Sequence, residues 1–310
     1  MTRLLLLGLA LLLAGCGAIT PRPAEPPPAA TQPAAPGTPV AQPPAPPLRI
    51  GLALGGGAAR GFAHVGVIKA LEAQGIVPQV ITGTSAGAVV GALYAAGLNG
   101  LDLQRVALDM EESQVGDWSL PDRGVFKGEA LQNFVNAAVG QRSIEKLPRR
   151  FGAVATDLRS GAAITFRSGN TGMAVRASAS VPGVFQPVAI QGRDYVDGGL
   201  VSPLPVRAAR EMGADFVIAV DIAGKPRDRA TRSTLDVLLQ TVAIMGQTLG
   251  RYEATEADLV IRPATADLSA TDFAGRHRAV LEGERAAAAA MADLKERLAR
   301  RQARAAATGN

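Results

Sequence analysis

The chain has 310 residues, 47% of them hydrophobic and 19% charged, the proportions of a globular protein with a sizeable core. Aromatics make up only 4%, so that core is built mainly from Val, Leu, Ile and Ala. The net charge of +5 marks no nucleic-acid footprint: six Lys/Arg against three acids lie from Glu284 onward, the rest is near balance, and no recognisable binding module accompanies them.

Residues 1–16 read MTRLLLLGLALLLAGC, one arginine followed by an apolar run too short to span a bilayer, then small residues. This is the anatomy of a secretory signal over 1–15. Cys16 is the only cysteine, which excludes an internal disulfide and a cysteine zinc site. The ending Leu13-Ala14-Gly15-Cys16 resembles a bacterial lipobox, which implies acylation at Cys16 and a lipid anchor to a membrane. Gly17 in place of Asp implies, by the same resemblance, the outer membrane of a Gram-negative bacterium, facing the periplasm. Residues 16–47 then form a tether, with twelve prolines in the 27 positions from Pro21 to Pro47, a composition that favours semi-rigid polyproline II.

One folded domain is expected over 48–310. Its segments alternate: LRIGLAL as a strand, ARGFAHVGVIKALEAQGI as a helix, VPQVITG as a strand, SAGAVVGALYAAGL as a helix. GEALQNFVNAAVG and PLPVRAAREMG have helical spacing, while FGAVATDL, AAITFRS, QPVAIQGRDYVDGG and DFVIAVDIA read as strands. AITFRSGN followed by GMAVRAS hints at an antiparallel excursion. The alternation predicts a three-layer α/β/α sandwich with a mostly parallel central sheet. The alanine-rich, basic end of the chain reads as a terminal helix packed on the domain.

Four stretches carry the chemistry. Gly55-Gly56-Gly57-Ala58-Ala59-Arg60-Gly61 lies between a strand and a helix, where backbone N–H groups converge on an anion. It lacks the Gly-Lys-Ser/Thr ending of a phosphate loop and the third glycine of a dinucleotide fingerprint, since Arg60 stands there. An oxyanion hole fits instead, because Gly83-Thr84-Ser85-Ala86-Gly87 follows one βα unit later in the strand–turn–helix setting of a nucleophile elbow. Asp197-Gly198-Gly199 ends a strand, and by itself reads as a turn. ASASVPGVFQPV, residues 177–188, is a loop fixed by its prolines and glycine.

Together these blocks resemble the bacterial patatin-like phospholipases, in the branch related to neuropathy target esterase, over most of 49–221. The resemblance implies a Ser85–Asp197 dyad without histidine, Ser85 as nucleophile and Asp197 as base. It also implies an oxyanion hole at the Gly55, Gly56, Gly57 and Ala58 amides, with Arg60 shaping that loop or meeting a substrate phosphate. Ala58 departs from the family pattern, which has a glycine there. The implied substrate is a phospholipid or lysophospholipid ester; no cofactor or metal is implied, and no protein partner is indicated. Phe62, Val184 and Phe185 are candidates for an acyl groove or for core. A Ser-His-Asp triad remains open, running Ser85, then Asp197 or Asp221, then His277; His64 lies early in the helix after the glycine loop. A catalytically inactive domain that binds lipid or protein is the third reading.

Overall fold

A computed structural model describes residues 47–111, 126–224, 233–268 and 273–308; the signal, Cys16 and all of the tether but its last residue fall outside them. In chain order the elements are β1 (Ile50–Leu54), α1 (Phe62–Glu72), β2 (Val80–Thr84), α2 (Ala86–Ala95), α3 (Gly100–Asp109) and α4 (Glu129–Ala138). They continue as β3 (Arg150–Asp157), β4 (Ala163–Phe166), α5 (Thr171–Ser178), β5 (Val188–Ile190) and β6 (Arg193–Asp197). α6 (Val206–Glu211), β7 (Phe216–Val220), α7 (Thr234–Ala254), β8 (Leu259–Ile261) and α8 (Arg276–Thr308) complete the domain.

The eight strands form one sheet in the order β5-β6-β3-β2-β1-β7-β8, with β4 also paired to β3. β8, β7, β1, β2 and β3 run parallel, and β4, β5 and β6 are the antiparallel part. Alternation along each strand divides the core. Leu52, Leu54, Ile81, Phe216, Ile218 and Val220 face α1, α2 and α8, whereas Ala53, Val80, Val217 and Ala219 face α6 and the end of α7. The result is the expected α/β/α sandwich.

One segment differs from the sequence reading. GMAVRAS is helix α5, started by the Asn170 side chain accepting from the Met173 N–H; the antiparallel excursion is made by β4, β5 and β6. The terminal helix begins at Arg276 and packs along α1, where a Cβ on Gly66 would lie 1.9 Å from the Val280 carbonyl oxygen and one on Gly283 2.0 Å from that of Ala63. Small residues on both helices therefore set how closely they cross.

β3 decides where the site forms. Residues 155 and 156 pair with both β4 and β6, and residues 153 and 154 with both β4 and β2, so β2 and β6 share one edge of β3. They approach from opposite directions. β2 ends with Thr84 opposite Val154, and β6 ends with Asp197 opposite Ala155. Two strand ends thus abut at neighbouring positions, and Ser85 is the next residue on one of them.

Candidate active site

Ser85 joins β2 to α2 with φ 55° and ψ −121°, a backbone conformation that costs a non-glycine residue about 1–3 kcal/mol. The flanking glycines make the sharp turn possible. A Cβ on Gly87 would stand 2.1 Å from the Leu54 carbonyl oxygen, and one on Gly83 2.4 Å from that of Gly87. The Ser85 N–H donates to Ser178 Oγ at 2.9 Å, and that hydroxyl donates to the Val154 carbonyl at 2.5 Å. Buried Ser178, at the end of α5, therefore ties the elbow to β3. The α2 N-terminus opens at Ser85, so its positive dipole end faces whatever charge develops there.

Asp197 is 6% exposed at the end of β6. Its N–H donates to the Ser180 carbonyl at 2.9 Å, and its own carbonyl accepts from Thr156 Oγ1 at 2.8 Å. Oδ1 accepts from the Gly199 N–H at 2.6 Å, while Oδ2 is buried without a partner among the described residues. Burial pushes this carboxyl up to about 6, against the lowering influence of the Ser85 hydroxyl and the Gly199 N–H. A buried carboxylate with one oxygen held and the other open is an acceptor for a neighbouring proton.

Not all of the expected oxyanion amides are available. The Gly55 N–H donates to Val220 O at 3.0 Å, the Gly56 N–H to Pro203 O at 3.0 Å, and the Arg60 N–H to Gly57 O at 3.2 Å. Gly55 and Gly56 are corrected to scaffold positions, because an amide already donating within the fold has no proton left for an oxyanion, and the Arg60 N–H, given to Gly57 O, is no oxyanion donor either. Gly57 and Ala58 are left with N–H groups that have no partner among the described residues. Ala58 has φ 51°, the left-handed region, so a glycine in the family pattern at this position suits the backbone. Gly56 lies beside the elbow, where a Cβ would meet that of Ser85 at 3.4 Å. The Arg60 guanidinium lies against Gly224, within 2.3 Å of where a Cβ would stand there.

His64 is fully buried, and its Nε2 lies 2.8 Å from the Gly55 carbonyl oxygen. A carbonyl only accepts, so Nε2 carries the proton and Nδ1 is left an acceptor without a partner among the described residues. Burial lowers its pKa to about 4, which keeps it neutral and holding the loop. His277 is exposed in the first turn of α8 and shares no hydrogen bond with Ser85 or Asp197. Asp221 accepts from the Ala223 N–H at 3.0 Å and from Arg262 Nε at 3.2 Å, a structural pairing. Phe62 is core, packed edge-on against Phe273. Val184 and Phe185 are half-buried in the 181–187 loop, with Phe185 against Phe126.

Ser178 and Ser180 escaped the sequence reading as individual residues, although the ASASVPGVFQPV block contains both. One steadies Ser85 through its hydroxyl and the other Asp197 through its carbonyl.

A patatin-like phospholipase profile matches residues 52–210, which include the glycine loop, Ser85 and Asp197. An uncharacterized NTE family protein of Mycobacterium bovis is 39% identical over 207 residues, covering 63% of this chain and 56% of that one. Patatin-like phospholipase domain-containing protein 6 of Mus musculus is 34% identical over 184 residues, 57% of this chain and 14% of the mouse protein. The chain thus spans little more than half the length of the mycobacterial relative. VipD from Legionella pneumophila superposes with a TM-score of 0.47 at 15% identity, covering 83% of this chain and 68% of its own.

Proposed function

The chain belongs to the patatin-like phospholipase family, and from that premise we propose that it is a serine acyl hydrolase cleaving carboxylic esters of phospholipids or lysophospholipids. The observation that carries this reading is the open, buried Oδ2 of Asp197 on the strand end that abuts the Ser85 elbow. Ser85 Oγ attacks the ester carbonyl and its proton passes to Asp197 Oδ2. The Gly57 and Ala58 N–H groups and the α2 N-terminus receive the negative oxygen of the tetrahedral intermediate. The carbon–oxygen bond to the leaving alcohol breaks as Asp197 returns the proton to that oxygen, leaving an acyl-Ser85. Water, deprotonated by Asp197, then releases the fatty acid and restores both residues.

Lipidation of Cys16, attachment to the outer membrane and a tether over 16–47 complete the proposal. They rest on the sequence pattern, and they place the site beside its substrate without a separate membrane-binding element. The test is fatty-acid release by the full-length protein from mixed micelles of phospholipid and lysophospholipid. Wild type and His277→Ala are expected to turn over, and Ser85→Ala and Asp197→Asn are not. Full activity in Asp197→Asn overturns the dyad.

A further inference from the structure

The loop after Asp197, residues 201–205, touches both the glycine loop and the strand before Ser85 through its carbonyl groups. The Ser202 carbonyl accepts from Thr84 Oγ1 at 2.7 Å, directly before Ser85. The Pro203 carbonyl accepts the Gly56 N–H at 3.0 Å, and the Pro205 carbonyl accepts from Thr82 Oγ1 at 2.9 Å. These bonds aim the glycine loop and the nucleophile strand, so the position of 202–205 sets the position of both.

On its other side this loop presents donors, and one side chain receives them. Glu253, near the end of α7 and 8% exposed, accepts the Ser202 hydroxyl on Oε1 and the Leu204 N–H on Oε2, the latter at 2.7 Å. We propose that Glu253 is a positioning residue for the hydrolysis proposed above, its carboxylate clamping residues 202–204 so that Gly56 and Thr84 stay aligned with Ser85. It touches no substrate. It acts through two backbone carbonyls, and the inference rests on the hydrolase reading.

The arrangement at Glu253 is what a positioning clamp requires. Burial pushes this carboxyl up to about 7, opposed by the bonds from Ser202 and Leu204; Glu256 adds to the rise and Arg207 offsets it. Protonation preserves the clamp, because a neutral acid donates to Ser202 Oγ while its other oxygen still accepts the Leu204 N–H. Glutamine reproduces that arrangement, with its NH₂ on Ser202 Oγ and its carbonyl on the Leu204 N–H. Alanine removes both acceptors and leaves a buried N–H without a partner.

The experiment measures kcat and KM of the full-length protein on p-nitrophenyl butyrate, a short soluble ester. Rates are expressed per active site titrated with a fluorophosphonate, so unfolded molecules do not count. Wild type, Ser85→Ala, Glu253→Ala, Glu253→Gln, Ser202→Ala and the Ser202→Ala/Glu253→Ala pair are compared. The clamp predicts that Glu253→Ala lowers kcat by about tenfold or more with KM within about twofold. Glu253→Gln stays within about threefold of wild type, and the double variant is no slower than Glu253→Ala alone. Wild-type kcat in Glu253→Ala overturns the clamp, as do a change carried by KM and equal losses in the Ala and Gln variants. A wild type that neither turns over nor is labelled, like Ser85→Ala, removes the hydrolase reading and this inference with it.

Discussion

At the scale of single residues, the proposed catalysis and stability pull in opposite directions. Asp197 is held at about 6 where an ordinary aspartate stands near 3.8, so the fold binds its proton more tightly than the unfolded chain does. A raised acid pKa means that stability falls as pH rises between those two values and stays lower above them. About two pKa units correspond to about 3 kcal/mol. Asp197→Asn is therefore expected to be inactive yet more stable than wild type at pH 7.5, by up to about 3 kcal/mol, with the difference vanishing below pH 4. Paired denaturant titrations at the two pH values check it; an equal difference at both rejects burial of the charge as its source. With Asp197 as the proposed base, the same shift is expected to place the acid limb of kcat/KM near pH 6, because that carboxyl must be ionised to accept the Ser85 proton. A rate still flat at pH 4.5 rules out Asp197 as the base. Ser85 offers a second trade: with φ 55° its strain is relieved by glycine and not by alanine. Ser85→Gly is expected to be more stable than Ser85→Ala by about 1–2 kcal/mol, the reverse of the usual order at a helix start, on thermal unfolding.

At the scale of elements, the site is the meeting of two strand ends on one edge of β3, and the glycines beside them are contacts. A Cβ on Gly198 would lie 2.2 Å from the Val154 carbonyl oxygen, nearly as close as the 2.1 Å clash at Gly87. The same logic governs α1 and α8, which cross at Gly66 and Gly283. Gly66→Ala must move α8 off α1, a backbone clash whose expected cost is about 2–3 kcal/mol or more, read as a lower denaturant midpoint. An unchanged midpoint means that α8 is not held there. α3 and α7 were missed in the sequence for a common reason. Each starts on a capping box whose third residue is Asp, Asn99 with Asp102 and Ser233 with Asp236, outside the usual Ser/Thr…Glu/Gln signature. α7 also exposes Val237, Leu238, Ile244 and Met245, which blurs the pattern that marks a buried face.

At the scale of the whole molecule, the proposed lipid anchor separates attachment from chemistry. Cys16→Ser is expected to move the protein from the membrane to the soluble fraction of cells while its rate on soluble p-nitrophenyl butyrate stays unchanged. Retention in the membrane fraction argues for a different means of attachment. What the sequence by itself determined was local: the α/β alternation, and a strand–turn–helix elbow at Ser85 whose tightness is written in Gly83 and Gly87. Asp197 was legible only through family resemblance, since an Asp-Gly-Gly turn has no chemistry of its own. Only the tertiary structure decided which amides remain open at the glycine loop. An N–H is free or engaged according to what stands opposite it, here Val220 and Pro203, both more than a hundred residues further along the chain. Glu253 was invisible for the same reason: its two partners lie about fifty residues before it, and only folding brings an acceptor on α7 against their donors.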